Sequence, residues 1–311
     1  MNFADRLIAA CRDKQSTLVV GLDPRWSSLP PSLQEVALKT NGPTAQAAAL
    51  AFHLFGRAII DAVADIAVAI KPQFAFYEQY GPWGMHTLLQ TVEYAKQQGL
   101  LVIGDAKRGD IGSTAEAYAQ AYLGGPVAAG QPAFSLSVDA LTVAAYLGSD
   151  GINPFLKSAT HTDSGIFVLV KTSNPSSGEL QDQLLGDEPL YARLARHVDQ
   201  WGQGLIGASG YSSVGAVVGA TYPKEAEALR KLMPKSIFLV PGYGAQGGTA
   251  EDVLPTFNDD GLGAVVSSSR GIIFAYQKLR QFGPERYADA ARAAAIAARD
   301  DINHALRRAG K

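Results

Sequence analysis

Apolar positions along the chain fall into short unbroken runs set between longer amphipathic stretches. The runs are TLVVGLD (Thr17–Asp23), IAVAIK (Ile66–Lys71), LLVIGD (Leu100–Asp105), VDALTV (Val138–Val143), GIFVLVK (Gly165–Lys171), GAVVGA (Gly215–Ala220), SIFLVP (Ser236–Pro241) and GAVVSS (Gly263–Ser268). Continuous rather than alternating apolar residues predict parallel strands covered on both faces. Helical periodicity separates most of them, most clearly over Thr44–Ala64 and Pro223–Met233. Eight β–α repeats in about 250 residues predict an α/β chain folded as a (β/α)8 TIM barrel rather than an open sheet. No Gly/Ser linker or shift of composition divides the sequence, so residues 1–311 read as one barrel domain. Two connections are longer than packing requires, at about 24–43 and about 174–210. Both follow the C-terminal end of a strand, the face on which barrel active sites form.

Polar residues collect at those same strand ends. Asp23 ends the first run, Lys71 the second and Asp105 the third, with Lys107 two residues on; Lys171, Thr172, Ser173 and Asn174 follow the fifth. Taken singly, each has a plain reading as a turn residue. Together, three successive strand ends around one ring would place their charges in one pocket. The stretch VIGDAKRGDIGST is the densest case, with Asp105, Lys107, Arg108 and Asp110 in six residues after an apolar run. Ser113 and Glu116 read as a capping box for a helix running to Leu123, which leaves the preceding charges unexplained. Two glycine-rich segments, PGYGAQGG (Pro241–Gly248) and SSSRGI (Ser267–Ile272), follow the seventh and eighth runs. Barrels commonly hold a phosphate there, and Arg270 would add a bidentate cation.

Composition narrows the partners. Hydrophobic residues make up 47% and charged residues 18%, enough for a large core. The net charge is −2 with no long basic run, which disfavours nucleic acid. Cys11 is the only cysteine, which excludes an intrachain disulfide and a Cys-based metal site and suits a reducing cytoplasm. The five histidines show no metal-ligand spacing, so no metal is expected. The N-terminal stretch reads as a charged amphipathic helix rather than a signal peptide. No apolar run approaches the ~20 residues of a membrane span, so no membrane partner is expected.

The residues Asp105-x-Lys107-x-x-Asp110-Ile111 with Thr114 resemble the D-x-K-x-x-D-I…T signature of the orotidine 5′-phosphate decarboxylase family. Asp23 in GLDP, Lys71 in IKPQFAFYEQYG, Ser173 in TSNP, Gln246 in PGYGAQGG and Arg270 fall in the same order as that family's functional residues, and TSNP and GAQGG resemble its longer bacterial branch. The resemblance implies a (β/α)8 barrel that converts orotidine 5′-phosphate to uridine 5′-phosphate without metal or organic cofactor, as a cytoplasmic homodimer with shared sites. It implies a charged network of Lys71, Asp105 and Lys107 with Asp110 from the second subunit. Asp23, Lys71 and the second subunit's Thr114 would hold the ribose and Ser173 the pyrimidine. Gln246 and Arg270 would hold the phosphate, with Tyr243 as a lid contact. Two alternatives stand beside this: another phosphosugar barrel enzyme, such as a hexulose-phosphate synthase, and a non-catalytic nucleotide-binding barrel.

Overall fold

The computed structural model describes residues 1–124, 127–128, 131–132, 136–244 and 247–311. Eight parallel strands close into a barrel in sequential order: β1 (Leu18–Leu22), β2 (Ala69–Pro72), β3 (Leu101–Arg108), β4 (Ala140–Val143), β5 (Gly165–Lys171), β6 (Ser212–Val218), β7 (Ser236–Pro241) and β8 (Ala264–Ser268), with β8 returning to pair with β1. Helices cover the outside. Between strands and helices lies a continuous apolar layer that includes Val20, Ile70, Val102, Leu141, Val168, Ala216, Phe238 and Val266. Every expected strand is present, which follows from runs apolar enough for both faces.

A second core fills the lower barrel. Val19, Ala69, Ile103, Ala140, Phe167, Ile237, Leu239 and Val265 meet Phe3, Ala4, Leu7, Ile8 and Cys11 of the first helix, α1 (Phe3–Lys14). That helix is the expected amphipathic one, and it stoppers the floor. The Phe3 ring meets the Phe167 ring edge-on, with centroids 5.8 Å apart. Gly165 makes the approach possible, since a Cβ there would lie 2.4 Å from the Phe3 ring. The polar rim of the plug is tied down as well: Arg6 donates to Asp139 at 2.5 Å, and the same carboxylate accepts from the backbone N–H of Val102.

Boundaries differ from expectation where polar residues are buried. β6 begins at Ser212, three residues before the apolar run, because Ser212 donates to the Gly202 carbonyl and Ser213 accepts from the Ala4 amide. β3 runs on through Arg108, past its apolar part. The two long connections are not simply loops. The first carries a helix at Pro31–Asn41. The second carries the barrel helix Leu190–Gly202, which buries Ala192, Ala195, Val198 and Gly202 and packs Tyr191, Leu194 and Trp201 against the core. The capping box is absent: the helix Gly112–Tyr122 already starts at Gly112, its N-cap Ile111 offers no side-chain acceptor, and Glu116 faces Lys157 at 3.6 Å.

One apolar stretch runs longer than the sequence reading expected. The helix α2 (Ala45–Val63) has 19 residues and is long and apolar enough to cross a membrane by length and composition. In the fold Phe52, Phe55, Ile59, Ile60 and Val63 turn inward, and 56% of the apolar window is buried. It is an outer-ring barrel helix packed on its neighbours.

Phe3→Ala would empty the best-filled position of the floor. We expect it to lower unfolding free energy by about 3–5 kcal/mol, measured by urea denaturation, while the strand-end residues on the opposite face keep their ligand affinity.

Candidate active site

The C-terminal strand ends surround a cavity of about 530 Å³, within the size range of small-molecule sites. Asp23, Lys71, Asp105, Lys107, Ser173, Tyr243 and Arg270 all line it. The expected residues therefore converge from β1, β2, β3, β5, β7 and β8, as a ring of strand ends dictates. Gln246 lies outside the described residues. Asp110 and Thr114 do not line this cavity. The Asp110 carboxylate accepts from the next backbone N–H, that of Ile111, at 2.7 Å, and Thr114 is exposed on the helix that follows.

The floor of the cavity is a three-residue ion cluster. Lys71 Nζ donates to Asp105 Oδ2 at 2.7 Å, and Lys107 Nζ donates to Asp105 Oδ1 at 2.5 Å. Asp105 and Lys71 are buried, whereas the Lys107 side chain is half exposed toward the cavity. Burial alone would raise the Asp105 pKa, but the charge of Lys71, then that of Lys107, holds it well below the usual carboxylate range. Burial alone would likewise lower Lys71, but Asp105 and then Asp23 bring it above the ordinary lysine value. Asp105 and Lys71 are therefore both ionised at neutral pH.

Arg108 answers to a different layer. Its guanidinium points outward, donating to Glu78, to the Ala106 carbonyl at 2.9 Å and to the Tyr122 hydroxyl at 3.2 Å. Lys171 also leaves the site. It is wholly buried, paired with Asp182 and placed 4.3 Å from the centre of the Tyr222 ring, where it anchors the segment after β5. That segment is cross-braced by Gln181, which accepts from the Thr172 amide at 3.0 Å and donates to its hydroxyl at 2.7 Å. Ser173 enters the cavity over Gly219, where a Cβ would lie 3.0 Å from it.

At the opposite side, Ser269 donates to Asp23 Oδ2 at 2.7 Å, while Asp23 Oδ1 is buried without a partner among the described residues. Arg270 is exposed, and none of the described carboxylates pairs with it. It stands beside Pro241, Gly242 and Tyr243 of the β7 turn. The Tyr243 hydroxyl donates to Asp301 of the last helix at 2.7 Å. Burial, then Asp301, pushes that hydroxyl's pKa up. Among the described residues no group of three or more His, Cys, Asp or Glu is placed to hold a metal.

Residues not singled out from the sequence also line the cavity: Gln73, Thr142, Gln181, Leu169, Val217 and Leu239. The last three form an apolar patch and came hidden inside strand runs. Thr142 had a signal, as the one polar residue in the apolar run of β4.

Residues 16–281 match the family model described as "Orotidine 5'-phosphate decarboxylase / HUMPS family". The chain is 47% identical over 300 residues to the orotidine 5′-phosphate decarboxylase of Rhodopirellula baltica, covering 95% of this chain and 97% of that one. It is 42% identical over 278 residues to that of Caldicellulosiruptor bescii, covering 89% and 91%. The solved structure of Leishmania donovani OMP decarboxylase matches with a TM-score of 0.74 at 31% identity, over 99% of each chain. A closed barrel with its charges gathered at one mouth, a match over most of the sequence and relatives of nearly equal length agree: the chain belongs to the orotidine 5′-phosphate decarboxylase / HUMPS family.

Proposed function

We propose that the Lys71–Asp105–Lys107 cluster carries out the decarboxylation of orotidine 5′-phosphate to uridine 5′-phosphate, a step of pyrimidine nucleotide synthesis. The observation that carries this reading is the Asp105 carboxylate bridging two ammonium groups at the cavity floor. The two curated relatives support the substrate over the phosphosugar alternatives, since each is named an orotidine 5′-phosphate decarboxylase.

The chemistry fits the cluster. When the C6–carboxylate bond breaks, its electron pair stays on C6, where the ring delocalises it poorly. Lys107 meets that charge with a compact ammonium and gives C6 a proton, so CO2 leaves and uridine 5′-phosphate forms. The neutral amine is then reprotonated from solvent. This help is larger in the transition state than in the ground state, and so raises kcat. Asp105 aims Lys107. At ~4 Å and an effective dielectric of 20 it would also repel the substrate carboxylate by ~4 kcal/mol, a repulsion that fades as CO2 departs. We favour the orienting role, because both carboxylate oxygens are already committed to lysines. Asp23 and Lys71 would hold the ribose, Ser173 the pyrimidine, and Arg270 with the β7 turn the phosphate. The guanidinium of Arg270, with no carboxylate partner among the described residues, supports that last assignment.

Asp110 and Thr114 serve a second copy of the chain in this reading. They sit off their own cavity, and Ile111, Tyr146 and Leu147 expose large apolar side chains. A homodimer that covers these would bring Asp110 to the partner's cluster.

Turnover provides the direct test. Purified protein with EDTA should consume orotidine 5′-phosphate, followed by loss of its absorbance. The phosphate-free nucleoside should be a far poorer substrate, and Arg270→Ala should erase most of that difference. Binding of uridine 5′-phosphate without turnover would favour the non-catalytic alternative, and a metal requirement a phosphosugar enzyme.

Shared sites predict complementation. Lys107→Ala and Asp110→Ala should each fall below about a tenth of wild-type kcat. Mixed at equal concentration and allowed to exchange, half the dimers are hybrids, each with one undamaged site. Activity should return to roughly a quarter of wild type. No recovery after exchange, confirmed by mass spectrometry, would place Asp110 in its own chain's structure.

The cluster also sets a pH dependence. The folded Asp105 titrates below its unfolded value, about 3.9, so its contribution is complete above that value and lost as pH falls through the folded one. The stability gap between wild type and Asp105→Asn should therefore be flat from pH 5 to 8 and shrink below about pH 4, measured by urea denaturation at each pH.

A further inference from the structure

We propose that Thr142 is a positioning residue for the reaction, one whose hydroxyl sets both the backbone of Lys107 and the carboxylate of Asp105. The inference rests on the reading of Lys107 as proton donor and deepens it. Thr142 is 1% exposed and stands on β4 beside the end of β3. Ladder pairing between the two strands runs Ile103 to Ala140 and Gly104 to Leu141, then slips and resumes at Arg108 to Val143. Thr142 is the single β4 residue facing the three that lie between, namely Asp105, Ala106 and Lys107. The main chain cannot pair three residues with one, so a side chain takes over. Thr142 Oγ1 accepts from the Ala106 amide at 3.0 Å and from the Lys107 amide at 2.9 Å, and donates to Asp105 Oδ1 at 3.1 Å.

A hydroxyl has one proton to give and two lone pairs to offer. All three are used here, and only threonine or serine can supply that set at this position. Lys107 has a φ of +50°, a left-handed conformation that a lysine keeps only when its surroundings hold it. The amide held by Thr142 is the amide of that residue. From there the side chain turns back so that Nζ reaches the same Asp105 oxygen that Thr142 binds. Hydroxyl, carboxylate and ammonium thus form one closed circuit, and the bend in β3 aims Lys107 into the cavity. Without the hydroxyl, the buried Ala106 amide and the part-buried Lys107 amide lose their acceptor, and the simplest repair is to straighten the strand and swing the lysine away.

The test compares Thr142→Val, which keeps the shape and removes the hydroxyl, with Thr142→Ser, which keeps the hydroxyl. We expect kcat to fall about tenfold to a hundredfold in the valine variant, the cost of a lost hydrogen bond to a charged group. Affinity for uridine 5′-phosphate, read by calorimetry, should stay within about threefold. Serine should restore kcat to within about threefold of wild type. A valine variant with near wild-type kcat would overturn the inference, as would a serine variant as impaired as valine. So would a loss that falls on binding rather than kcat. If the valine variant does not fold, Thr142→Ala against Thr142→Ser gives the same comparison. Lys107→Ala, run beside them, separates the two claims: its retained turnover would remove the proton-donor reading itself. An inactive Lys107→Ala with an active Thr142→Val would remove only the role of Thr142.

Discussion

One carboxylate held between two ammonium groups, nearly out of water, is the constraint that the rest of this structure serves. A buried Asp105 would titrate upward on its own, and a buried Lys71 downward. Each keeps its charge because the other is within 2.7 Å. Such an arrangement is expensive to desolvate and stable only if the geometry is rigid. The barrel supplies that rigidity. β2 and β3 are adjacent strands, their registers fixed at Ala69–Leu101 and Ile70–Val102, so the ends that carry Lys71 and Asp105 cannot drift apart.

The two ends of the barrel divide the labour. The floor is apolar, plugged by α1 through Phe3, Leu7 and Ile8. Its residues are chosen for volume, down to the glycine under Phe3. The mouth is polar and braced by pairs such as the buried Lys171 with the half-exposed Asp182, which contribute position rather than a ligand contact. Stability is thereby gathered at one face and left free to be compromised at the other, where Lys107 carries a strained backbone and Asp23 an unpaired oxygen.

Much of this was legible in the sequence, for physical reasons. Parallel strands need apolar side chains on both faces, so all eight announced themselves, and charged residues ending such runs have nowhere to go but the mouth. What escaped notice was small or polar. The helix at Leu190–Gly202 fully buries only Ala192, Ala195, Val198 and Gly202, and sits inside a stretch read as one long connection. β6 starts on serines whose hydroxyls find partners only in three dimensions. The Ser113–Glu116 pattern fits a cap, but the chain turns at Gly112 before it can be used. Lys171 and Lys107 looked alike as strand-end lysines; only the fold sends one into the wall and the other into the cavity. The family motif named Asp105, Lys107 and Asp110, yet not Thr142, which belongs to another strand and contacts all of Asp105, Ala106 and Lys107.

The segment from Asp105 to Asp110 faces three environments in six residues: Asp105 and Lys107 the cavity, Arg108 the helix layer through Glu78 and Tyr122, and Asp110 the surface beyond. Its length is therefore locked by three unrelated fits at once. A loop that answers to one surface can gain or lose a residue and re-form. This one cannot, because any shift that corrected the cavity would misplace the wall or the rim. The spacing of these six residues behaves as a fixed ruler between the inside of one molecule and its outer face.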